Sequence, residues 1–271
     1  MRRQFHDAPI RYVIGDVRDR EALDRACNGV DIIIHAAALK HVDRIEEWPM
    51  EAVSTNIHGT TNVIESAWYH RVWRMVFLST DKAVAPANVY GATKSIGERL
   101  IVTAATRSEM KTIYTAVRYG NVMSSAGSVL PSWVAMLRAE CSVVPVTDPE
   151  MTRFWLSYDD AVHAVRLALD AGPGEIVVHK APSFRVGDLP AALNAEMIVA
   201  GRRPGEKLHE CLVRDEERAR CTDKGTHFVL APVAGEGMGI PEPYESDTNA
   251  EWIGVEDMRA RVDDLIAKGD L

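Results

Sequence analysis

The sequence is poor in the features that mark a stapled, metal-built or membrane-bound protein. Its four cysteines, Cys27, Cys141, Cys211 and Cys221, are isolated. There is no CxxC, and no histidine stands at zinc-finger spacing from any of them. The expectation is therefore a reducing compartment, the cytoplasm, and neither a disulfide framework nor a metal site. No apolar run is long enough to span a membrane, and the opening MRRQFHDAPIRYVIGD is not a signal peptide. Positive charge is in deficit, with 31 Lys and Arg against 39 Asp and Glu and a net charge of -8, which argues against a general nucleic-acid binder. Repeats and low-complexity tracts are absent. What remains is ordinary globular composition, 46% hydrophobic and 26% charged over 271 residues. That is enough for one large domain or two unequal ones with a self-sufficient core.

Apolar runs alternate with helical periodicity along the first half. Arg11 to Ile14 reads as a short strand closed by Gly15-Asp16, and Asp19 to Cys27 as a short helix. Val30 to His35, Met75 to Ser79 and Thr112 to Arg118 read as buried parallel strands. Long helices are expected at Pro49 to Tyr69 and Val89 to Thr106. Strands alternating with helices of this length indicate an open α/β sheet with crossover connections. Beyond Asn121 the pattern loosens through Ser124 to Ser132. A helix from Pro131 to Glu140 and a strand near Val143 to Val146 follow. Ser157 to Asp160 has capping-box spacing ahead of a helical run to Leu169, and Glu175 to His179 returns to strand. Asp188 to Gly201 is expected as an amphipathic helix, Arg203-Pro204-Gly205 as a turn, and Val255 to Ala267 as a final helix. The Gly235, Gly237, Gly239 spacing has no strand–turn–helix context and reads as a loop.

Three features fall at the ends of successive predicted strands: Gly15-Asp16-Val17, then His35-Ala36-Ala37-Ala38, then Ser79-Thr80-Asp81-Lys82, followed by Tyr90 and Lys94. In doubly wound sheets ligands lie beyond the carboxyl ends of the strands, and small residues such as Ala36 to Ala38 let a cofactor approach backbone. Tyr90 and Lys94 are one helical turn apart. A nearby ammonium stabilises a phenolate and makes a base of a group that otherwise titrates near 10. YxxxK alone is an ordinary helix-surface pair; the strand-end Ser-Thr-Asp-Lys upstream gives it chemical meaning.

The stretches GDVRDREAL (15–23), HAAALKHV (35–42), NIHGTTNVIESA (56–67), STDKAVAPANVYGATK (79–94), RYGNVMSSAGSVLP (118–131), VTDPEMTRFWLS (146–157) and GRRPGEKLHE (201–210) resemble the extended short-chain dehydrogenase/reductases. Within them the chain is similar to the nucleotide-sugar 4,6-dehydratases of the polysaccharide biosynthesis protein family. The members it resembles most act on UDP-N-acetylglucosamine with inversion at C5. The resemblance implies a redox-neutral hydro-lyase: oxidation at C4 by bound NADP, or alternatively NAD, then loss of water across C5–C6, then re-reduction at C6. Carried over, Tyr90 is the C4 base and Lys94 sets its pKa and holds the nicotinamide ribose. Thr80 bonds the 4-oxygen, Asp81 is the acid toward the C6 hydroxyl, and Lys82 is the C5 base, for which its pKa must be depressed. Asp16 and Val17 resemble adenine contacts. Ala36, Ala37, Ala38 and Lys40 resemble the segment beside the cofactor phosphates and ribose. Asn56 resembles a support of the active-site loop, and Tyr119, Gly120, Asn121 and Val122 the loop joining nicotinamide to substrate. Asn121, Arg153, Arg202 and Glu206 are the candidate UDP-sugar contacts, the arginines for the diphosphate and Glu206 for the uridine ribose.

No glycine precedes Gly15, so the family's opening GxxGxxG turn is missing from the sequence. The fold expected is a Rossmann-like parallel sheet, N-terminally truncated, with a smaller mixed C-terminal substrate-binding region. Residues 1–122 are assigned to the dinucleotide-binding part, with contributions from about 143–180, and residues 123–142 and 181–271 to the substrate-binding region. A homo-oligomer is expected. Two alternatives stand beside the dehydratase: a nucleotide-sugar 4-epimerase, which shares Tyr90 and Lys94 but does not need Asp81 and Lys82, and an inactive remnant.

Overall fold

The runs read as buried strands line up side by side in the computed structural model, which describes residues 9–107, 111–125, 127–233 and 235–271. In chain order the strands are β1 (Ile32–His35), β2 (Arg74–Leu78), β3 (Ile113–Arg118), β4 (Asn121–Val122), β5 (Val143–Val146), β6 (Thr152–Leu156) and β7 (Ile176–His179). They continue with β8 (Ser183–Arg185), β9 (Glu196–Val199), β10 (Cys211–Val213), β11 (Cys221–Asp223), β12 (His227–Leu230) and β13 (Tyr244–Glu245). The helices are α1 (Arg20–Cys27), α2 (Val42–Glu47), α3 (Pro49–Ala52), α4 (Gly59–Tyr69), α5 (Val89–Ala105), α6 (Val129–Arg138), α7 (Tyr158–Asp170), α8 (Leu189–Ala192) and α9 (Val255–Lys268). Residues 1–8, the first part of MRRQFHDAPIRYVIGD, lie outside the described residues, as does residue 126 within the Ser124 to Ser132 stretch.

The main sheet has the order β1-β2-β3-β7-β12-β11. Its first four strands are parallel and its last two antiparallel, so the α/β expectation is met by a mixed sheet. Alternation across the sheet sends Met75 and Phe77 to one face, where Val63, Ile64 and Ile101 of α4 and α5 cover them. Val76 and Val117 point to the other, under Ala164 and Ala168 of α7. The capping box at Ser157 forms as the spacing predicts. Two glycines of α5 permit close approach. A Cβ at Gly97 would lie 2.4 Å from the Phe77 ring, and one at Gly91 only 2.1 Å from the Lys82 carbonyl. The second packs the start of α5 directly onto the turn that follows β2.

Three expectations are corrected. Arg11 to Ile14 forms no ladder: among the described residues β1 pairs only with β2, and Ile14 is 99% exposed. An extended run becomes a strand only when a neighbour takes its amides and carbonyls. Asp188 to Gly201 is not one helix. After the single turn of α8 the chain takes a left-handed residue at Asn194 and enters β9, parallel to β5. The β-branched Ile198 and Val199 and the ladder with β5 explain the preference. The Pro49-to-Tyr69 helix is interrupted by a π-helical turn at Val53–His58, between α3 and α4. A second core, around Trp133, Trp155, Phe184 and Met258, holds α6, α8 and α9 against the smaller sheets.

Candidate active site

The parallel ladder continues past the last residues of β2 and β3 and delivers their side chains to one end of the sheet. Ser79 N donates to Val117 O at 2.7 Å, and Asp81 N to Tyr119 O at 3.1 Å. Thr80 then caps a 3-10 turn over Asp81–Ala83. Here Lys82 Nζ lies 3.0 Å from Asp81 Oδ1, 3.3 Å from Asn121 Oδ1 and 3.4 Å from Glu210 Oε1. Thr80 Oγ1 donates to Asp81 Oδ1 at 2.8 Å. Asp81 is fully buried, and its Oδ2 has no hydrogen-bond partner. Tyr90 stands in the first turn of α5, which packs at Gly91 onto the Lys82 carbonyl. Thr80, Asp81, Lys82, Tyr90 and Asn121 thus meet at the end of the sheet.

The electrostatics differ from the sequence expectation. Burial raises the Tyr90 pKa, and this outweighs Lys82 and Thr80, which favour the phenolate. Lys94 is buried with Nζ 3.9 Å from the centre of the Phe77 ring, and burial pulls its pKa down to about 7 against the opposing pull of Glu98. Lys82 shows the reverse of the depressed pKa that a C5 base needs. Burial disfavours its ammonium, but the Asp81 and Glu210 carboxylates overcome this and raise it, with Arg153 opposing them.

The residues expected beside the cofactor lie at the end of β1. Ala36, Ala37 and Lys40 are exposed and Ala38 is half-buried. Asn56, from the π-helical turn, accepts from Leu39 N at 2.8 Å and donates to Leu39 O and to Thr93 Oγ1, both at 3.0 Å. One side chain thereby ties the β1 loop to the catalytic helix, an instance of a π-helical turn at a functional position. Val17 packs against Gly59, and its carbonyl accepts from Asn62 at 3.0 Å. Asp16 is exposed and paired with Arg18. Tyr119 is half-buried, its pKa pushed up to about 12 by burial and by Tyr90.

Of the expected substrate contacts, Arg153 joins the cluster. Its Nε is 3.9 Å from Glu210, but its remaining donors bind the carbonyls of Thr152, Lys207 and Leu208. Arg202 is exposed and pairs with Asp148 at 3.4 Å. Glu206 closes its own turn, accepting from Arg203 N at 3.0 Å.

Sequence reasoning missed two features. Glu210 lies inside a stretch quoted for its resemblance, but nothing in the spacing shows that its partner is Lys82. The second is a buried ionic network beneath the site. Arg118 donates to Glu98 at 2.9 and 2.6 Å, to Glu217 at 2.9 and 3.1 Å and to Leu212 O at 2.7 Å. Ser79 Oγ adds a 2.6 Å bond to Glu98. Among the described residues no cluster is arranged to hold a metal ion, and no helix is long and apolar enough to cross a membrane.

A family model described as polysaccharide biosynthesis protein matches residues 1–232. Over 269 residues the chain is 38% identical to a UDP-N-acetylglucosamine 4,6-dehydratase (inverting) of Campylobacter jejuni, covering 92% of this chain and 80% of that protein. Over 252 residues it is 41% identical to a UDP-glucose 4-epimerase of Rickettsia conorii, covering 90% and 73%. Pen from Bacillus thuringiensis superposes with a TM-score of 0.89 at 34% identity, over 97% of this chain and 85% of that one. Two more distant structures share the fold. DesIV, a dTDP-glucose 4,6-dehydratase of Streptomyces venezuelae, has a TM-score of 0.67 at 24% identity over 75% of this chain and 70% of that one. The UDP-glucose 4-epimerase of Thermus thermophilus has 0.62 at 20% over 73% and 75%. The dinucleotide in both is NAD, which overturns the expectation of NADP. With 232 residues under one family model, the chain belongs to the polysaccharide biosynthesis protein family, among the NAD(P)-dependent nucleotide-sugar-modifying enzymes that include dehydratases and epimerases.

Proposed function

We propose that the chain oxidises C4 of a UDP-linked hexose with NAD and carries the reaction on to 4,6-dehydration. The observation that carries the second half is Asp81, buried at the reacting end of the sheet with one carboxylate oxygen free and a lysine 3.0 Å from the other. Elimination of water needs a proton donor at the departing oxygen and an acceptor at the adjacent carbon. The Asp81–Lys82 pair holds one transferable proton between its two members and supplies both.

The residues present fit the nicotinamide side of NAD. The β1 end exposes backbone under nothing larger than the methyls of Ala36 and Ala37, and Tyr90 and Lys94 offer hydroxyl and amine donors one helical turn apart. When bound, NAD supplies a reversible acceptor for the hydrogen and electron pair of C4. Tyr90 takes the 4-hydroxyl proton, and Thr80 and Lys82 favour the phenolate that this requires. Lys94 bonds the ribose and keeps Tyr90 oriented. At the resulting ketone the C5 proton goes to one member of the Asp81–Lys82 pair. The C6–O bond breaks with a proton from the other, so water leaves and a C5–C6 double bond remains to be reduced. Asn121 holds Lys82 and faces the sugar, while Arg153 adds positive charge toward the diphosphate.

A second reading, a UDP-sugar 4-epimerase, is favoured by the 41% identity to the Rickettsia enzyme, slightly above that to the Campylobacter dehydratase. It uses Tyr90 in the same way and requires no elimination. Incubation with NAD and UDP-N-acetylglucosamine or UDP-glucose separates the two. A product lighter by one water supports dehydration, whereas a C4 epimer of unchanged mass selects the epimerase. Asp81→Asn sharpens the result: water loss falls by about 10²-fold or more while NAD-dependent exchange at C4 persists.

A further inference from the structure

The loop that carries GRRPGEKLHE reaches the site through a side chain that no motif singles out. Glu210 is 3% exposed. Its Oε1 lies 3.4 Å from Lys82 Nζ and 3.9 Å from Arg153 Nε, and its Oε2 lies 3.9 Å from Lys207 Nζ. That second oxygen is buried without a hydrogen bond. The backbone is pinned from both sides: Glu210 N donates to Ser246 Oγ at 2.9 Å, and Ser246 N to Glu210 O at 2.8 Å. Ser246 Oγ in turn meets Thr152 Oγ1 at 2.6 Å, on the strand that carries Arg153. Asp81 alone could pair with Lys82. A second carboxylate taken out of water beside it, with an oxygen left unsatisfied, is disfavoured unless it has work to do.

We propose that Glu210 is a positioning residue of the reacting centre, clamping the Lys82 ammonium against Asp81 and so making the 201–210 loop part of the catalytic apparatus. The inference rests on reading Lys82 as a member of that centre. The titratable and charged groups acting on Lys82 are Asp81 on the turn after β2, Tyr90 from α5, Arg153 from β6 and Glu210 from the loop, with the neutral amide of Asn121 after β3 beside them. Of the charges among them, Asp81 and Glu210 hold the proton on Lys82 and Arg153 works to release it. Because Glu210 arrives on a separate segment, any movement of the loop changes both the place of Lys82 and its readiness to give up a proton. The loop is seated close by: Lys207 Nζ donates to Val84 O, and Asn88, the cap of α5, donates to Gly205 O at 2.9 Å.

The test uses the full chain and Glu210→Gln. Lys82 is labelled with an amine-reactive acylating reagent across a pH series and quantified by mass spectrometry. The half-labelling pH is expected to fall by about one unit or more, because one of the two carboxylates is gone. With NAD and UDP-sugar, kcat is expected to fall by about 10-fold or more with KM changed by less than about threefold, and the alkaline limb of kcat to move to lower pH. Glu210→Asp, which keeps the charge but withdraws it, is expected to shift labelling less in the same direction, and it carries the test if Glu210→Gln does not fold. An unchanged labelling profile in the folded variant overturns the clamp whatever the activity. Full turnover in Lys82→Gln overturns instead the reading of the site on which the clamp depends.

Discussion

Two ionic clusters are buried at neighbouring levels of the molecule, and they are finished differently. In the lower one Arg118 makes five hydrogen bonds, and both oxygens of Glu98 and of Glu217 accept. In the upper one Lys82 is shared by Asp81, Asn121 and Glu210, and Asp81 Oδ2 and Glu210 Oε2 are buried without a hydrogen bond. A saturated network has no valence left for a ligand; it joins β2, β3, α5 and the turn holding Glu217 into one block. The unsaturated one retains two acceptors without a partner among the described residues. Buried polar groups are normally satisfied, so such exceptions call for an explanation. On the proposed function the lower cluster is the platform and the upper one the tool.

The sharpest way to break this contrast is Arg118→Met. It leaves buried Glu98 without a cation and takes from Glu217 the stronger of its two, Arg220 remaining, and is expected to lower unfolding free energy by about 3–5 kcal/mol, read from urea denaturation. Unaltered stability would show that the lower cluster is not the platform. Tyr90→Phe is the mirror experiment: turnover falls by about 10²–10⁴-fold while the urea midpoint scarcely moves.

Acid titration separates the clusters further. Arg118 outweighs burial and holds the Glu217 pKa down at about 2, from an ordinary value of 4.5. The folded state therefore releases this proton more readily than the unfolded one. The stabilisation is present above about pH 4.5 and is lost as pH falls toward 2, a contribution of about 3 kcal/mol. Glu217→Gln should flatten the stability curve across that window; a difference curve with no slope there would sink the assignment. The smallest effect is expected from Asn56→Ala, which removes two hydrogen bonds to the β1 loop and one to α5. A loss of about 1–3 kcal/mol is expected, together with weaker NAD binding by titration calorimetry.

Where the sequence read well, the signal was local. The strand runs at Met75 and Thr112, the Ser157 capping box and the Tyr90–Lys94 spacing are each contained within a few residues, and each forms as expected. It read poorly where neighbours decide. Arg11 to Ile14 has strand composition but no ladder among the described residues, and Asp188 to Gly201 has helical periodicity that pairing with β5 overrides. The direction of the Lys82 pKa differs from expectation for the same reason: Asp81 is its neighbour in the chain, but Glu210 reaches it only through folding.

Sequence by itself determined which side chains stand together at the end of β2, since Thr80, Asp81 and Lys82 are consecutive and Tyr90 follows within one short connection. The α/β class was equally legible, because hydrophobic period is a property of neighbours along the chain. Only the tertiary structure decided the charge on that chemistry. Glu210, Arg153 and the Arg118 network come from distant segments, and a buried group's proton affinity depends on what folding places within a few ångströms, not on what precedes or follows it in the chain.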